Sequence, residues 1–140
     1  MKILAKTIFV LLAAAVPAGA LAQAPIEGLW RNPSGTAIIA IAPCGNALCG
    51  KVAWASARGQ QEVAKNTPNV VGTTVLTGLR PSRGRWNGSL YIPDDNIHVS
   101  AKLQLVSASQ LKLTGCAVAG LFCRSQIWSR ASSLPQQASR

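Results

Sequence analysis

The residues best suited to hold a ligand are three arginines in one short segment. Arg80, Arg83 and Arg85 lie within residues 79–86, where a proline and a glycine favour a turn. Three guanidinium groups on one turn could hold a phosphate or a carboxylate through paired hydrogen bonds. No acidic residue lies in the segment, so we expect a locally positive surface there. The alternative is a solvated basic turn without a ligand.

The single histidine could act as a general base. His98 follows Asp94 and Asp95 closely, and an imidazole near a carboxylate is the starting point of general base catalysis. However, His98 falls on the polar side of its predicted strand, and no second cluster supplies a nucleophile. The two aspartates also fit a turn after Pro93. A hydrolase that uses His98 therefore ranks third among the functional hypotheses, after a binding protein and a structural envelope protein.

The N-terminus has the features of a cleaved signal peptide. Lys2 and Lys6 precede an apolar run over residues 8–16, and Ala20-Leu21-Ala22 is a cleavage site of the small-x-small type. The apolar run is shorter than the about 20 residues that a transmembrane helix needs. We therefore predict cleavage of residues 1–22 after Ala22, which gives a periplasmic or secreted protein that does not span the membrane.

Four cysteines form two close pairs, Cys44 with Cys49 and Cys116 with Cys123. An even number of cysteines in an exported chain favours disulfides. Each pair brackets a predicted hairpin, which favours the local pairing over the two other pairings. Zinc knuckles have two to four residues between their cysteines, and a zinc site would have only one histidine to use. A thioredoxin-type site has two residues between its cysteines, at the N-terminus of a helix. We expect no metal and no cofactor.

Composition restricts the class of protein further. The chain has 140 residues, of which 49% are hydrophobic, and carries a formal net charge of +10 at pH 7. This apolar content excludes a disordered chain, and the length allows one domain over residues 23–130, with a flexible tail over 131–140. The charge favours an anionic envelope component or a small acidic ligand as partner. Nucleic acid is not expected, because no nucleic-acid motif is present.

The spacing of turn formers predicts eight short strands. They are expected near residues 27–32, 36–42, 49–54, 73–79, 86–92, 97–106, 110–116 and 122–130. The clearest alternation of apolar and polar residues runs from His98 to Leu105, which indicates an antiparallel sheet with one buried face. Residues 55–70 show no alternation and form either a helical turn or two around 60–65 or a long loop. Eight strands predict a small antiparallel β-barrel, with a β-sandwich as the alternative.

Gly28-Leu29-Trp30 is similar to the G-x-W signature of lipocalins and other calycin barrels. The resemblance implies that Trp30 closes one end of the barrel and that a basic residue of the last strand covers it. Arg124 and Arg130 both lie in the last predicted strand, so both are candidates for this role.

Longer blocks of the chain form a recognisable pattern. They read IEGLW at 26–30, PCG and LCG at 43–50, VGT at 71–73, GRW at 84–86, GC at 115–116 and LFCRSQIW at 121–128. These blocks resemble a bacterial exported family, domain of unknown function 2147. The resemblance covers residues 26–130 and implies export and a compact β domain with calycin-like character. It implies no catalytic residue.

These observations favour a non-enzymatic exported barrel that binds a small or anionic ligand. The alternative is a structural or stress-related envelope protein. The interior of the barrel distinguishes the two hypotheses. A binding protein needs a cavity of several hundred Å³ with a few polar groups, whereas a structural module should be filled by Leu, Ile, Val and Trp side chains.

Overall fold

The computed structural model describes residues 24–136. The predicted signal peptide, residues 1–22, and the last four residues of the predicted tail lie outside this range. The described chain forms eight strands and one short helix: β1 Gly28–Arg31, β2 Ala37–Cys44, β3 Ala47–Ala55, α1 Ala57–Val63, β4 Thr74–Ser82, β5 Arg85–Ile92, β6 Ile97–Ser107, β7 Gln110–Ala117 and β8 Phe122–Ala131.

The eight strands form a closed barrel in sequence order. Each strand pairs antiparallel with the next, and β8 closes the barrel by pairing with β1. The predicted β-barrel is therefore confirmed, and the alternative of a β-sandwich is wrong. The last strand ends at Ala131, which pairs with Leu29, so the barrel extends one residue beyond the predicted boundary. Residues 132–136 form neither a strand nor a helix.

Alternation along the strands determines which side chains fill the barrel. On β6, Ala101 and Leu103 are buried, whereas His98, Lys102 and Gln104 are exposed on the outer wall. Residues that lie opposite each other in an antiparallel pair share one face of the sheet. The pairing of Leu103 with Leu113 and of Leu105 with Leu111 therefore continues the apolar interior from β6 into β7.

The strand directions divide the connections between two ends of the barrel. One end carries the start of β1, the end of β8 and the β2–β3, β4–β5 and β6–β7 turns, and we call it the closed end. The other end carries the β1–β2, β5–β6 and β7–β8 turns and the long β3–β4 connection with α1, and we call it the open end.

The β4–β5 turn differs from the expectation for its Pro-Ser-Arg-Gly sequence. Pro81 does not occupy the turn but pairs with Trp86 inside the strand ladder. The two central residues are Arg83 and Gly84, with φ of 53° and 75°. Two positive φ angles are typical of the type I′ turn, whose twist matches that of the flanking strands.

The segment over residues 55–70 takes the helical alternative, although its helix starts earlier than expected. Ser56 caps α1 by accepting a hydrogen bond from the Gly59 amide at 3.0 Å. Gly59 is buried against the carbonyl oxygen of Thr36 in the β1–β2 turn. The helix therefore packs on the rim of the open end.

Candidate functional site

The closed end is sealed by Trp30 and Arg130, which lie opposite each other in the β1–β8 ladder. Trp30 is fully buried, and its indole nitrogen donates to the Ile26 carbonyl at 2.8 Å. The guanidinium carbon of Arg130 lies 4.2 Å from the centroid of the Trp30 ring. Its nitrogens donate to the carbonyls of Pro25, Glu27 and Ala108 at 2.8–2.9 Å.

Gly28 makes this seal possible because it has no side chain. A Cβ atom at this position would lie 2.8 Å from Nη1 of Arg130, and the residue has a φ of 124°. Any other residue would both adopt an unfavourable backbone conformation and collide with the guanidinium group.

Arg124, the other candidate for covering Trp30, does not lie at the closed end. It sits opposite Gly115 near the start of β8, six residues from Arg130. Strands rise about 3.3 Å per residue, so the two arginines are separated by about 20 Å along β8. The expectation for Arg124 is wrong, and this residue belongs to the open end.

An inner cavity of about 300 Å³ lies within the barrel above the closed end. Its walls are largely apolar and include buried side chains of β2, β3, β4 and β7. Polar residues also line it, namely Asn32, Ser34, Thr36, Glu62, Tyr91, Asp94 and Gln126. The Oε1 atom of Gln126 accepts a hydrogen bond from the indole nitrogen of Trp128 at 2.9 Å. The apolar lining includes Ile39, Val52, Val75, Leu90, Leu113 and Trp128.

A larger outer hollow of about 750 Å³ lies at the open end. Leu90, Leu113 and Gln126 line both spaces, so the inner cavity and the outer hollow are adjacent. Arg124, Gln126 and Trp128 occupy alternate positions of β8 and therefore share the inward face of this strand. Opposite Arg124, Gly115 contributes no side chain, and Arg124 is an exposed residue of the lining of the hollow.

The rim of the open end holds three of the four acidic residues of the chain. Glu62 of α1 lines the inner cavity, and Asp94 and Asp95 of the β5–β6 turn line the outer hollow. Glu62 is paired with Arg58 at 2.9 Å on the surface of the helix. Among residues 24–136 this is the only ion pair, so Arg124 is not neutralised by either aspartate.

The β3–β4 connection covers part of the open end. The side chain of Asn66 donates to the carbonyl of Asp94 at 2.7 Å, and the Thr67 hydroxyl lies 3.1 Å from the hydroxyl of Tyr91. Tyr91 also donates to Asn96 at 3.0 Å. These bonds attach the segment after α1 to the β5–β6 turn, so the cover and the rim are one connected unit.

Arg80, Arg83 and Arg85 lie together at the β4–β5 turn, but this turn belongs to the closed end. All three are exposed, and Arg80 donates to the side chain of Asn46 at 3.0 Å. They line neither the inner cavity nor the outer hollow. The expected positive turn is therefore separate from the interior of the barrel.

His98 lies exposed on the outer wall, where its ring faces Tyr91 with centroids 4.9 Å apart. In the described part of the chain it makes no ion pair with Asp94 or Asp95. The nearby Ser100 hydroxyl donates to the Cys116 carbonyl at 3.0 Å. No nucleophile and base are thus brought together around His98 in this region.

Both cysteine pairs form the local disulfides that the hairpins favoured. The Cα atoms of Cys44 and Cys49 are 5.8 Å apart, and those of Cys116 and Cys123 are 4.1 Å apart. The first disulfide lies at the closed end and the second at the open end. Within residues 24–136, no group of three His, Cys, Asp or Glu side chains could hold a metal ion, and no helix is long and apolar enough to cross a membrane.

The sealed end, the interior cavity and the closed ladder of eight strands define a lipocalin-like barrel. The Helicobacter pylori protein HP1028, described as belonging to the lipocalin family, has a similar structure with a TM-score of 0.57. The two chains are 14% identical, and the match covers 76% of this chain and 82% of that one. At this level of identity the likeness concerns the fold alone.

The chain belongs to the bacterial family described as "uncharacterized protein conserved in bacteria" (DUF2147), whose model matches residues 28–130. This confirms the resemblance seen in the paired-cysteine blocks and the final RSQIW block. The comparison with curated proteins finds no significant match.

Sequence reasoning missed the polar groups of the cavity. Gln126 and Trp128 are two residues apart on β8, a spacing that places both on one face of a strand. That signal was present in the RSQIW block, but nothing in the sequence marks this face as the lining of a cavity rather than a packed interior. The rim position of Asp94 and Asp95 follows only from barrel closure.

Proposed function

We propose that this protein is an exported, non-enzymatic binding protein that holds a small amphipathic acid inside its barrel. The observation that carries the proposal is the inner cavity of about 300 Å³, with its largely apolar lining and the Gln126 amide on its wall. A structural module would fill this space with side chains. The unfilled interior therefore supports the binding hypothesis over the structural one.

The size of the cavity limits the ligand. An apolar cavity of about 150 Å³ holds one benzene ring, and sites for drug-sized molecules begin at about 300 Å³. The inner cavity suits a body of about two rings, or a comparable alkyl chain. A longer molecule would extend into the outer hollow, where Arg124, Asp94 and Asp95 add charged groups to the lining.

Arg124 supports the assignment of an acidic group on the ligand. Its guanidinium group lies on the inner wall of the outer hollow and makes no ion pair in the described chain. A carboxylate, sulfonate or phosphate at that position could accept two parallel hydrogen bonds from it. Gln126 lies one step deeper on the same face and can donate from its amide nitrogen, since its Oε1 is engaged by Trp128.

Two fluorescent probes with one apolar body test this proposal. Anilinonaphthalene sulfonate and phenylnaphthylamine share the same rings, and only the first has an acidic group. We expect both to bind, and we expect Arg124→Gln to weaken the sulfonate about tenfold, which corresponds to about 1.4 kcal/mol. The neutral probe should bind the variant as it binds the wild type.

The cavity itself is tested by a matched pair of tryptophan substitutions. Leu90→Trp adds bulk where the inner cavity meets the outer hollow, and it should abolish binding of both probes. Ile127→Trp adds the same group on the outer wall, where Ile127 is 41% exposed, and it should change neither affinity. Equal binding by the two variants would refute a site inside the barrel.

Export is part of the proposal and is supported by the sequence pattern of residues 1–22 and by the two disulfides, since oxidising compartments are where such bonds persist. Mass spectrometry of protein recovered from the envelope of the producing cell measures its N-terminus directly. We expect a chain that begins at Gln23. A chain that retains Met1 would contradict cleavage.

A further inference from the structure

We propose that the outer wall of strands β4–β7 is a docking surface for an anionic phospholipid bilayer. The inference rests on five cations that the barrel brings onto one face, only three of which lie together in the sequence. We call this face the basic wall. It consists of Arg80, Arg83, Arg85, Lys102 and Lys112.

The ladder pairings place these cations on the same side of the sheet. Arg80 and Lys102 both lie opposite Asn87 of β5, from its two neighbouring strands. Two strand spacings separate them, or about 10 Å. Lys112 of β7 lies opposite Gln104, two residues along β6 from Lys102, so it shares the outward face with it. All of these side chains are exposed.

No carboxylate lies on this wall. The four acidic residues of the chain are Glu27, which precedes β1, and three residues at the rim of the open end, Glu62, Asp94 and Asp95. No negative charge therefore offsets the positive charge of the basic wall over its four adjacent strands. The Debye length at physiological salt is about 8 Å, so the field of these cations is screened within a short distance of the surface. The basic wall therefore acts only on a partner that contacts it directly.

Two features favour a bilayer over a soluble polyanion. The cations are spread in two dimensions over a convex wall and do not line a groove that could guide a single polymer strand. Apolar side chains also lie beside them: Ile127 is directly opposite Lys112, and Val106 is 56% exposed on β6. Apolar groups among cations suit the interface of an anionic membrane.

The tip of the β7–β8 hairpin supports the same partner. Val118, Leu121 and Phe122 are 65–76% exposed, and Val118 adopts a φ of 52°, which is unusual for a β-branched residue. The disulfide between Cys116 and Cys123 holds the base of this tip. Lys112 lies on β7 itself, and the apolar tip directly follows the end of this strand.

Vesicle binding tests the proposal on the protein as recovered from the producing cell. The probe is vesicles of phosphatidylcholine with phosphatidylglycerol, compared with phosphatidylcholine alone. Each cation near an anionic surface raises the partition coefficient about fivefold, so the triple variant Arg80→Gln, Arg83→Gln, Arg85→Gln should bind about a hundredfold more weakly. Binding should also fall steeply as salt is added.

A second triple variant controls for net charge. Arg31→Gln, Arg58→Gln and Lys65→Gln removes the same charge from β1 and from the cover of the open end, and it should bind vesicles nearly as well as the wild type. All variants keep the same N-terminus, so any difference comes from the folded domain. Circular dichroism checks that each variant is folded.

Several outcomes would overturn the proposal. Equal loss in both triple variants would show that net charge, not the basic wall, drives binding. Equal binding to the two kinds of vesicle would remove the requirement for anionic lipid. Binding to heparin without binding to phosphatidylglycerol vesicles would assign the wall to a soluble polyanion instead.

Discussion

Arg130 stacks on Trp30 across the β1–β8 ladder, with its guanidinium carbon 4.2 Å from the ring centroid. The same guanidinium donates to three backbone carbonyls, one after β6 and two before β1. A single side chain thereby joins the first strand, the last strand and the β6–β7 turn. This arrangement cross-links the closed end of the barrel.

Replacing Arg130 should therefore destabilise the whole barrel. Arg130→Met keeps an apolar stem over Trp30 but removes three hydrogen bonds and the cation–π contact, and we expect a loss of about 2–4 kcal/mol in the free energy of unfolding. Urea denaturation measures this quantity. Arg124→Met is the matched control on the same strand and should change it by less than about 0.5 kcal/mol. Equal losses would mean that the seal does not stabilise the fold.

Gly28 should tolerate alanine less well than Gly35 does. Both have positive φ, at 124° and 70°, but only at Gly28 would a Cβ atom meet Arg130, at 2.8 Å. We expect Gly35→Ala to cost about 1 kcal/mol from its backbone conformation and Gly28→Ala to cost about 2 kcal/mol more from the collision. Thermal unfolding of both variants gives the comparison. A smaller effect at Gly28 would contradict the close approach of Arg130.

The two disulfides should contribute similar stability but different function. Both close short rings, with sequence separations of 5 and 7, for which loop entropy gives about 2–2.5 kcal/mol each. Cys44→Ser with Cys49→Ser alters only the closed end, so binding of the naphthalene probes should be unchanged. Cys116→Ser with Cys123→Ser loosens the hairpin that carries Arg124, and the sulfonate probe should bind more weakly. The opposite pattern would place the ligand at the closed end.

The sequence predicted the ladder well because local patterns determine it. Alternation over residues 98–105 assigns the inward side chains of β6, and recurring turn formers separate the strands. Local patterns do not determine which end of a barrel a residue occupies. Arg124 and Arg130 have the same strand parity, and only the pairing of Trp30 with Arg130 selects the second.

The cavity was beyond sequence reasoning for a related reason. Whether an apolar interior is packed or hollow depends on how side chains from distant strands fill a shared volume, and that volume is set by barrel closure. Gly115 illustrates the point: a glycine opposite Arg124 leaves room in the outer hollow. The sequence shows the glycine but not what faces it.

Replacing Gly59 of α1 by alanine should change the stability of the protein in the direction opposite to that usual for a helical glycine. Replacing an exposed helical glycine by alanine normally stabilises the protein by about 1 kcal/mol. Gly59 lies inside α1, but it is buried, and a Cβ atom there would lie 2.6 Å from the carbonyl oxygen of Thr36. The contact is with backbone, which cannot rotate away. We therefore expect Gly59→Ala to destabilise the protein by about 1–2 kcal/mol despite its better helix propensity.

Gln61→Ala is the matched control, because Gln61 is an exposed residue of the same helix and its replacement should be neutral or slightly stabilising. The Gly59 variant should also lift α1 from the β1–β2 turn and open the cover of the cavity. Stopped-flow measurements should then show faster dissociation of the neutral naphthalene probe from Gly59→Ala than from Gln61→Ala. A stabilised Gly59 variant with unchanged dissociation would mean that α1 does not pack on Thr36 and does not control access to the barrel.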